Sequence, residues 1–305
     1  MSDTAQIAIV IITYNREKDM LSLAENITSL DYKELLKEVI IINNRSTESY
    51  KQAEEFIAQH PEIPFRYFVP DENLGVSRGR NYAIQKATAP YLLFIDDDAV
   101  FFTPDVLLDI EEIFAKEENS QTGIVAFKVY YHATREMQVS AFPHKEFKKR
   151  KDLHRFDTYY FCGCVHVIRR PVFDQAGYYP ENFFYGMEEY DLSYRALNAG
   201  FKIIYDDRVV VLHKESPGGR ISNKDKLRGM WVNKTKVAWK YLPKRYFYST
   251  ALLWSLQYLN ITDFDFRGWL KGWKEVLRIP SSEKRNPVSK ETLAYLEEVK
   301  ARLWY

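Results

Sequence analysis

Tyr91-Leu92-Leu93-Phe94-Ile95-Asp96-Asp97-Asp98-Ala99-Val100 is the stretch that decides the fold. The apolar run is short and bounded by polar residues, the signature of a buried strand. It ends in three consecutive aspartates. Three adjacent carboxylates cannot all stay ionised without a positive neighbour. A divalent cation, held by hard oxygen ligands that leave room for substrate phosphates, is the usual solution. The decapeptide therefore reads as a sheet edge that carries a metal and a nucleotide diphosphate.

Upstream, strand and helix patterns alternate. Ile7 to Ile12 is a continuous apolar run, followed by the turn Thr13-Tyr14-Asn15-Arg16 and a helical pattern over about 17–30. Val39 to Ile42 predicts a second buried strand. Asn43-Asn44-Arg45-Ser46-Thr47 and a helix over about 48–59 follow it. Phe65 to Val69 predicts a third strand, then a loop with Asn73 and Gly75, then a helix over about 76–87. The aspartate strand is fourth. Strands that are apolar throughout and alternate with helices indicate an α/β chain with a parallel sheet covered on both faces. Such sheets bind ligands at the carboxyl ends of their strands. The Thr13 turn, the Asn43 turn and the aspartates all lie there.

Downstream, Pro104 opens a helix to about residue 118. Strands are expected over 123–131, 158–168, 202–205 and 209–212, with one strong helix over about 189–199. The basic stretch from His144 to Arg155 reads as a surface loop, or as a contact for an anionic acceptor or a lipid headgroup. From about residue 225 the pattern is helical. Tyr246 to Tyr258 is rich in Tyr, Phe, Leu and Trp, and residues 267–277 mix Trp, Leu and Lys at helical spacing. Such a face can lie on a membrane interface, or pack against the main domain or a second subunit.

The 305 residues call for one large domain plus an appended piece. A net charge of +1 leaves no bulk field to draw the chain to nucleic acid. The two cysteines, Cys162 and Cys164, are too few and too close for a disulfide framework and read as small core residues. Neither a signal peptide nor a membrane-spanning run is visible. A cytoplasmic protein is expected, with peripheral contact at the inner face of the cell membrane left open.

Four further features carry chemistry. Gly186-Met187-Glu188-Glu189-Tyr190-Asp191 leads to Arg195, and Asp191 and Arg195 are spaced to pair on a helix. Glu188 and Glu189 stand at the helix entrance, where the macrodipole favours a carboxylate. Beside apolar Phe183, Phe184 and Tyr185, a carboxylate there is placed to act as a general base. The same segment also reads as a charged helix N-terminus with an ordinary salt bridge. His213 ends the run Val209-Val210-Val211-Leu212, either as a structural histidine or as a metal ligand beside the aspartates. Arg78, Arg80 and Asn81 cluster at a helix start, where an arginine can reach diphosphate oxygens. Tyr178, Tyr179, Phe183 and Phe184 are candidates to stack on an acceptor sugar, or core.

Taken in order, these segments resemble family 2 glycosyltransferases with the GT-A fold. The resemblance rests on Ile12 to Arg16, Asn43 to Thr47, Asn73-Leu74-Gly75 through Arg80-Asn81, Asp96-Asp97-Asp98, the Glu-Glu-Tyr-Asp run, and His213 with Arg220. Any one of these is weak; six in order are strong. The resemblance runs from about residue 6 to 240. It implies a Rossmann-like mixed sheet with helices on both faces and a C-terminal helical extension. The transferase domain would be residues 1–230, with a nucleotide-binding half over about 1–100 and an acceptor half over about 101–230. The extension would be residues 231–305.

The implied activity is inverting transfer of a sugar from a nucleotide-diphosphate donor to the hydroxyl of a saccharide or lipid-linked saccharide, with Mn or Mg as cofactor. The resemblance assigns Thr13, Tyr14, Arg16, Asn43, Asn44, Arg80, Asp96 and Asp97 to the nucleotide and donor. It assigns Asp98 and His213 to the metal. Glu189, Glu188 and Asp191 form the catalytic set, and Tyr185, Phe184 and Arg220 the acceptor side. Asn43 stands where the family usually has an aspartate facing the base, and Arg45 where it has a glycine. Glu189 stands where the family commonly has an aspartate base, so the base falls to either Glu188 or Glu189.

The chemistry is consistent with that set. A leaving diphosphate needs its charge neutralised, which a Lewis acid does, and an acceptor hydroxyl needs a base. An inverting displacement puts the base opposite the leaving group. Two other readings compete. Asp96, Asp98 and Val100 fit the strand-end pattern of a haloacid dehalogenase-type phosphohydrolase, although about ninety residues precede them here. The chain could also be a non-catalytic carbohydrate-binding relative of the transferase fold.

Overall fold

The computed structural model describes residues 5–183, 185–216 and 222–304. Its centre is a mixed nine-stranded sheet. The first half supplies β1 (Ile7–Thr13), α1 (Glu17–Thr28), β2 (Leu36–Asn43), α2 (Lys51–Gln59), β3 (Phe65–Phe68), α3 (Gly75–Lys86) and β4 (Tyr91–Asp96). β3, β2, β1 and β4 lie side by side and run parallel. Alternate residues of β1 serve two cores: Ala8 and Val10 one, Ile7, Ile9 and Ile11 the other. A strand buried on both faces has no polar position to spare, which is why these strands read as unbroken apolar runs.

The second half supplies β5 (Ala99–Phe101), α4 (Val106–Ala115), β6 (Thr122–Tyr131), α5 (Phe147–Arg150), β7 (Arg155–Thr158), β8 (Val165–Arg169), α6 (Arg170–Ala176), α7 (Glu188–Asn198) and β9 (Lys202–His213). β8 joins β4 antiparallel, and β6, β9 and β5 continue the sheet. Two sequence expectations change here. The strand expected over 158–168 is two strands. β7 pairs with β9, whereas β8 pairs with β4 and β6, so the chain must cross between neighbours over 159–164. The strands expected over 202–205 and 209–212 are one, β9. Its polar centre, Asp206-Asp207-Arg208, sits at a register shift against β6 and is held by its own ion pairs.

Register puts the site at one edge. Ile12 pairs with Asp96, and Thr13 with Asn43. Ala99 pairs with His213. Asp96 N donates to Cys164 O at 2.9 Å, so the antiparallel β8 begins where β4 ends.

The C-terminal helices are α8 (Asn223–Tyr241), α9 (Lys244–Ile261), α10 (Phe266–Ser282) and α11 (Lys290–Glu298). α8, α9 and α10 enclose a third core around Trp231, with Phe247, Tyr258, Val276 and Ile279. The boundary expected at residue 230 falls inside α8. Leu296, Val299, Ala301 and Leu303 return to the same core as β1 and β4. The basic stretch after His144 takes part in this return. His144 is buried, with Nε2 at 2.9 Å from Val299 O, and Lys145 Nζ donates to Ala301 O. Its start holds the tail instead of forming a free surface loop. Among the described residues no helix is long and apolar enough to cross a membrane.

Candidate active site

The aspartates divide their tasks by burial. Asp97 and Asp98 are buried, whereas the Asp96 side chain keeps 39% of its surface exposed. Arg16, from the turn after β1, reaches Asp97 Oδ1 at 2.8 Å and Asp98 Oδ2 at 3.2 Å. Burial, with the Asp98 charge, pushes the Asp97 carboxyl up to about 7 against the pull of Arg16. Burial also raises Asp96, against the pull of Arg80. Thus Arg16 and Arg80 leave the Asp96 and Asp97 carboxyls raised, and a divalent cation would favour their ionised forms.

Asp98 is locked in place. Its Oδ1 lies 3.2 Å from His213 Nε2, and its Oδ2 accepts from Ser216 N at 2.9 Å. His213 Nδ1 meets Gln138 Oε1 at 2.9 Å. Gln138 Nε2 donates to Glu215 and Ser140, which fixes the amide orientation and leaves Oε1 as an acceptor. His213 Nδ1 therefore carries a proton, and Nε2 faces the aspartates. Burial lowers the His213 pKa, but the Asp98 hydrogen bond and the charges of Asp96 and Asp98 raise it overall. Potential ligand atoms of Asp96, Cys164 and His213 lie within 4.8 Å of one another. Carboxylate and imidazole donors suit a divalent cation, whereas burial holds the Cys164 thiol well above its ordinary range.

The second carboxylate group starts α7. Gly186 and Met187 take positive φ angles of 80° and 71°, turning the chain so that Glu188 and Glu189 open the helix. A left-handed methionine is costly and is held only by its surroundings. Both glutamates are raised: burial leads, their mutual repulsion adds to it for Glu189, and Arg80 opposes it. Among the described residues, Glu188 Oε2 is buried and finds no hydrogen-bond partner.

Arg80 joins the two groups. Its guanidinium lies 3.7 Å from Asp96, 3.2 Å from Glu188 and 3.6 Å from Glu189, and donates to Gly163 O at 3.0 Å. Its carbon is 5.4 Å above the Tyr179 ring. The arginine expected at diphosphate oxygens is instead buried among carboxylates.

Other expected residues have other places. Thr13 Oγ1 is 2.6 Å from Tyr50 OH, which also accepts from Arg16 N. Tyr14 is half-buried in the same turn. Asn43 accepts from Ser46 N and donates to Tyr67 OH. Asn44 is buried, accepting from Leu74 N and donating to Gly75 O, so it ties β2 to the start of α3. Asp191 is buried between Arg195, Lys240 and Tyr241. The expected Asp191–Arg195 pair forms, and it anchors α7 to α8 instead of facing the other two carboxylates. Tyr185 precedes the Gly186–Met187 turn, and its carbonyl accepts from Asn233. Tyr179 is core and Tyr178 exposed. Phe184 and Arg220 lie outside the described residues. Beside Arg16, a cavity of about 420 Å³ is lined by Asn15, Glu17, Lys18, Glu48 and Ser216.

Sequence reasoning missed four residues. Tyr50, Gln138 and Cys164 reach the site only through long-range pairing, and nothing local marks them. Gly163 had a signal, a glycine between two cysteines. A Cβ there would overlap Glu189 Oε1 and stand 3.0 Å from Arg80 Nη2.

The model of glycosyl transferase family 2 matches residues 8–177. The Bacillus subtilis glycosyltransferase YwdF is 29% identical over 184 residues, 57% of this chain and 62% of YwdF. Among solved structures, S. aureus TarS in complex with UDP-GlcNAc superposes with a TM-score of 0.62 at 15% identity, over 95% of this chain and 83% of that one. Mannosyltransferase PcManGT from Pyrobaculum calidifontis, in complex with GDP-Man and Mn2+, gives 0.59 at 17% identity, over 98% and 81%. At these identities the two structures attest to the fold, which is the GT-A fold with a C-terminal helical region. With more than half its length inside the family model, the chain belongs to glycosyl transferase family 2 and is a glycosyltransferase.

Proposed function

We propose that this enzyme transfers a sugar from a nucleoside diphosphate to an acceptor hydroxyl in one inverting displacement, with Glu189 as base. The observation that carries the reading is Arg80, which spans the distance between Asp96 and the Glu188–Glu189 pair. One side chain thus bridges the gap between leaving group and base, and positioning of this kind is worth several kcal/mol of barrier. Glu189 is the better base of the two: its side chain keeps 15% of its surface exposed, that of Glu188 only 3%. A raised carboxyl is also closer to the pKa a base needs at neutral pH.

Thr13, Tyr14 and Arg16 would hold the nucleotide at the turn after β1, where Arg16 borders the cavity, with Asn43 shaping the turn beneath the base. Asp96, Asp98 and His213 would hold a divalent cation, which when bound neutralises the departing diphosphate. A set that mixes carboxylate with imidazole fits Mn2+ better than Mg2+, which keeps to oxygen ligands. PcManGT, crystallised with GDP-Man and Mn2+, supports that preference. Tyr185, on the loop that leads to the proposed base, would contact a saccharide acceptor, free or lipid-linked.

The test is a thermal-shift screen of nucleoside diphosphates with Mn2+ or Mg2+, followed by donor turnover. One nucleotide should stabilise the protein by about 3 kcal/mol near a hundredfold excess over its Kd. A protein that binds the nucleotide but never turns over a donor sugar with any acceptor would be the non-catalytic relative. Phosphomonoester hydrolysis dependent on Asp96 would restore the dehalogenase reading.

A further inference from the structure

Among the described residues, six exposed large apolar side chains gather on α9, α10 and the turn between them. Leu252, Leu256, Phe264, Phe266, Leu270 and Leu277 keep 52, 53, 63, 59, 62 and 72% of their surface exposed. No part of the proposed donor or base site uses them.

α10 arranges its side chains in three rows. Gly268, Gly272, Val276 and Ile279 are buried, and the last two pack in the core around Trp231. Phe266, Leu270 and Leu277 form an exposed apolar row. Arg267, Lys271, Lys274 and Arg278 form an exposed basic row, opposed on this helix only by Glu275. At about 100° per residue the rows lie roughly a third of a turn apart. The chain as a whole carries a net charge of only +1, so this row is a local concentration.

We propose that α9 and α10 lie on a lipid leaflet rich in anionic headgroups, with the apolar row among the acyl chains and the basic row at the phosphates. An apolar row flanked by cations, on a helix too polar to span, is the pattern of an interfacial helix. A second copy fits this face poorly. A two-fold contact would press the same patch on itself and set four cations against four. Anionic lipid satisfies both rows at once, with each surface cation adding attraction.

The experiment is co-sedimentation of the full chain with vesicles of phosphatidylcholine alone, or of phosphatidylcholine with phosphatidylglycerol. The chain should pellet with the anionic vesicles and be released by salt. Lys271→Gln with Lys274→Gln should bind about thirtyfold more weakly. Leu270→Ser with Leu277→Ser should lose binding even at low salt. Circular dichroism checks that each variant folds. A chain that stays in the supernatant with anionic vesicles overturns the proposal. So does binding that survives both double variants, or a dimer that Leu270→Ser with Leu277→Ser dissolves. Vesicle binding is read without donor or transfer, so its failure leaves the transferase reading untouched.

Discussion

Glu188 and Glu189 are adjacent, alike and both raised, yet the Glu189 side chain keeps 15% of its surface exposed and that of Glu188 only 3%. Glu189→Gln should leave nucleotide affinity intact and lower transfer by about 10²–10⁴-fold. Glu188→Gln should retain transfer. It should also move the rising limb of the pH–rate profile to lower pH, because the Glu188 charge raises Glu189. Loss of transfer in Glu188→Gln alone would exchange the two roles. Asp98→Asn should abolish metal-dependent nucleotide binding in calorimetry, since the Asp98 carboxylate meets His213, Ser216 and Arg16 together. Unchanged affinity for nucleotide with Mn2+ would remove Asp98 from the metal site. At this scale the sequence showed the charged residues and hid their partners. Asp96, Glu189 and His213 are visible beside apolar runs. That Arg80 sits among carboxylates, or that Gln138 orients His213, depends on strands joined across 75 residues or more.

Two glycines link elements to function in different ways. Gly163 lies between β7 and β8, where a Cβ would meet the far ends of Glu189 and Arg80. Those ends can swing aside, so Gly163→Ala should change stability by less than about 1 kcal/mol while lowering kcat through a displaced Glu189. A variant with normal kcat would show that Glu189 need not hold this position. Gly272 on α10 meets the Trp231 ring, which is fully buried and has no room to move. Gly272→Ala should therefore lower unfolding free energy by about 1–3 kcal/mol in denaturant titrations, with catalytic constants unchanged at low temperature. The parallel half was legible because burial on both faces makes each strand a continuous apolar run. β7, β8 and β9 were segmented wrongly because their ends are set by which neighbour they pair with, and periodicity carries no record of that.

Across the molecule, folding raises the carboxyls of the site above their unfolded range. Asp97 is raised from 3.8 to about 7, and Asp96, Glu188 and Glu189 are raised as well. A carboxyl raised on folding adds stability that is complete below its unfolded pKa and is lost as pH rises through the folded value. His213, also raised, works in the same direction. His144 and His166 are lowered and oppose the trend only below about pH 6.5. Lys234, whose pKa burial lowers well below the ordinary lysine range, opposes the trend. The metal-free protein should therefore lose stability between about pH 6.5 and pH 8, by a few kcal/mol in sum. Asp97→Asn, which removes one of these groups, should show a shallower fall. Mn2+ with the preferred nucleoside diphosphate should flatten the slope, because a bound cation keeps the carboxylates ionised without penalty. Thermal unfolding in chelator across this range decides the matter. A Tm that holds level or climbs with pH would mean that these aspartates and glutamates are already ionised in the folded protein. The aspartate edge would then need no cation to be stable.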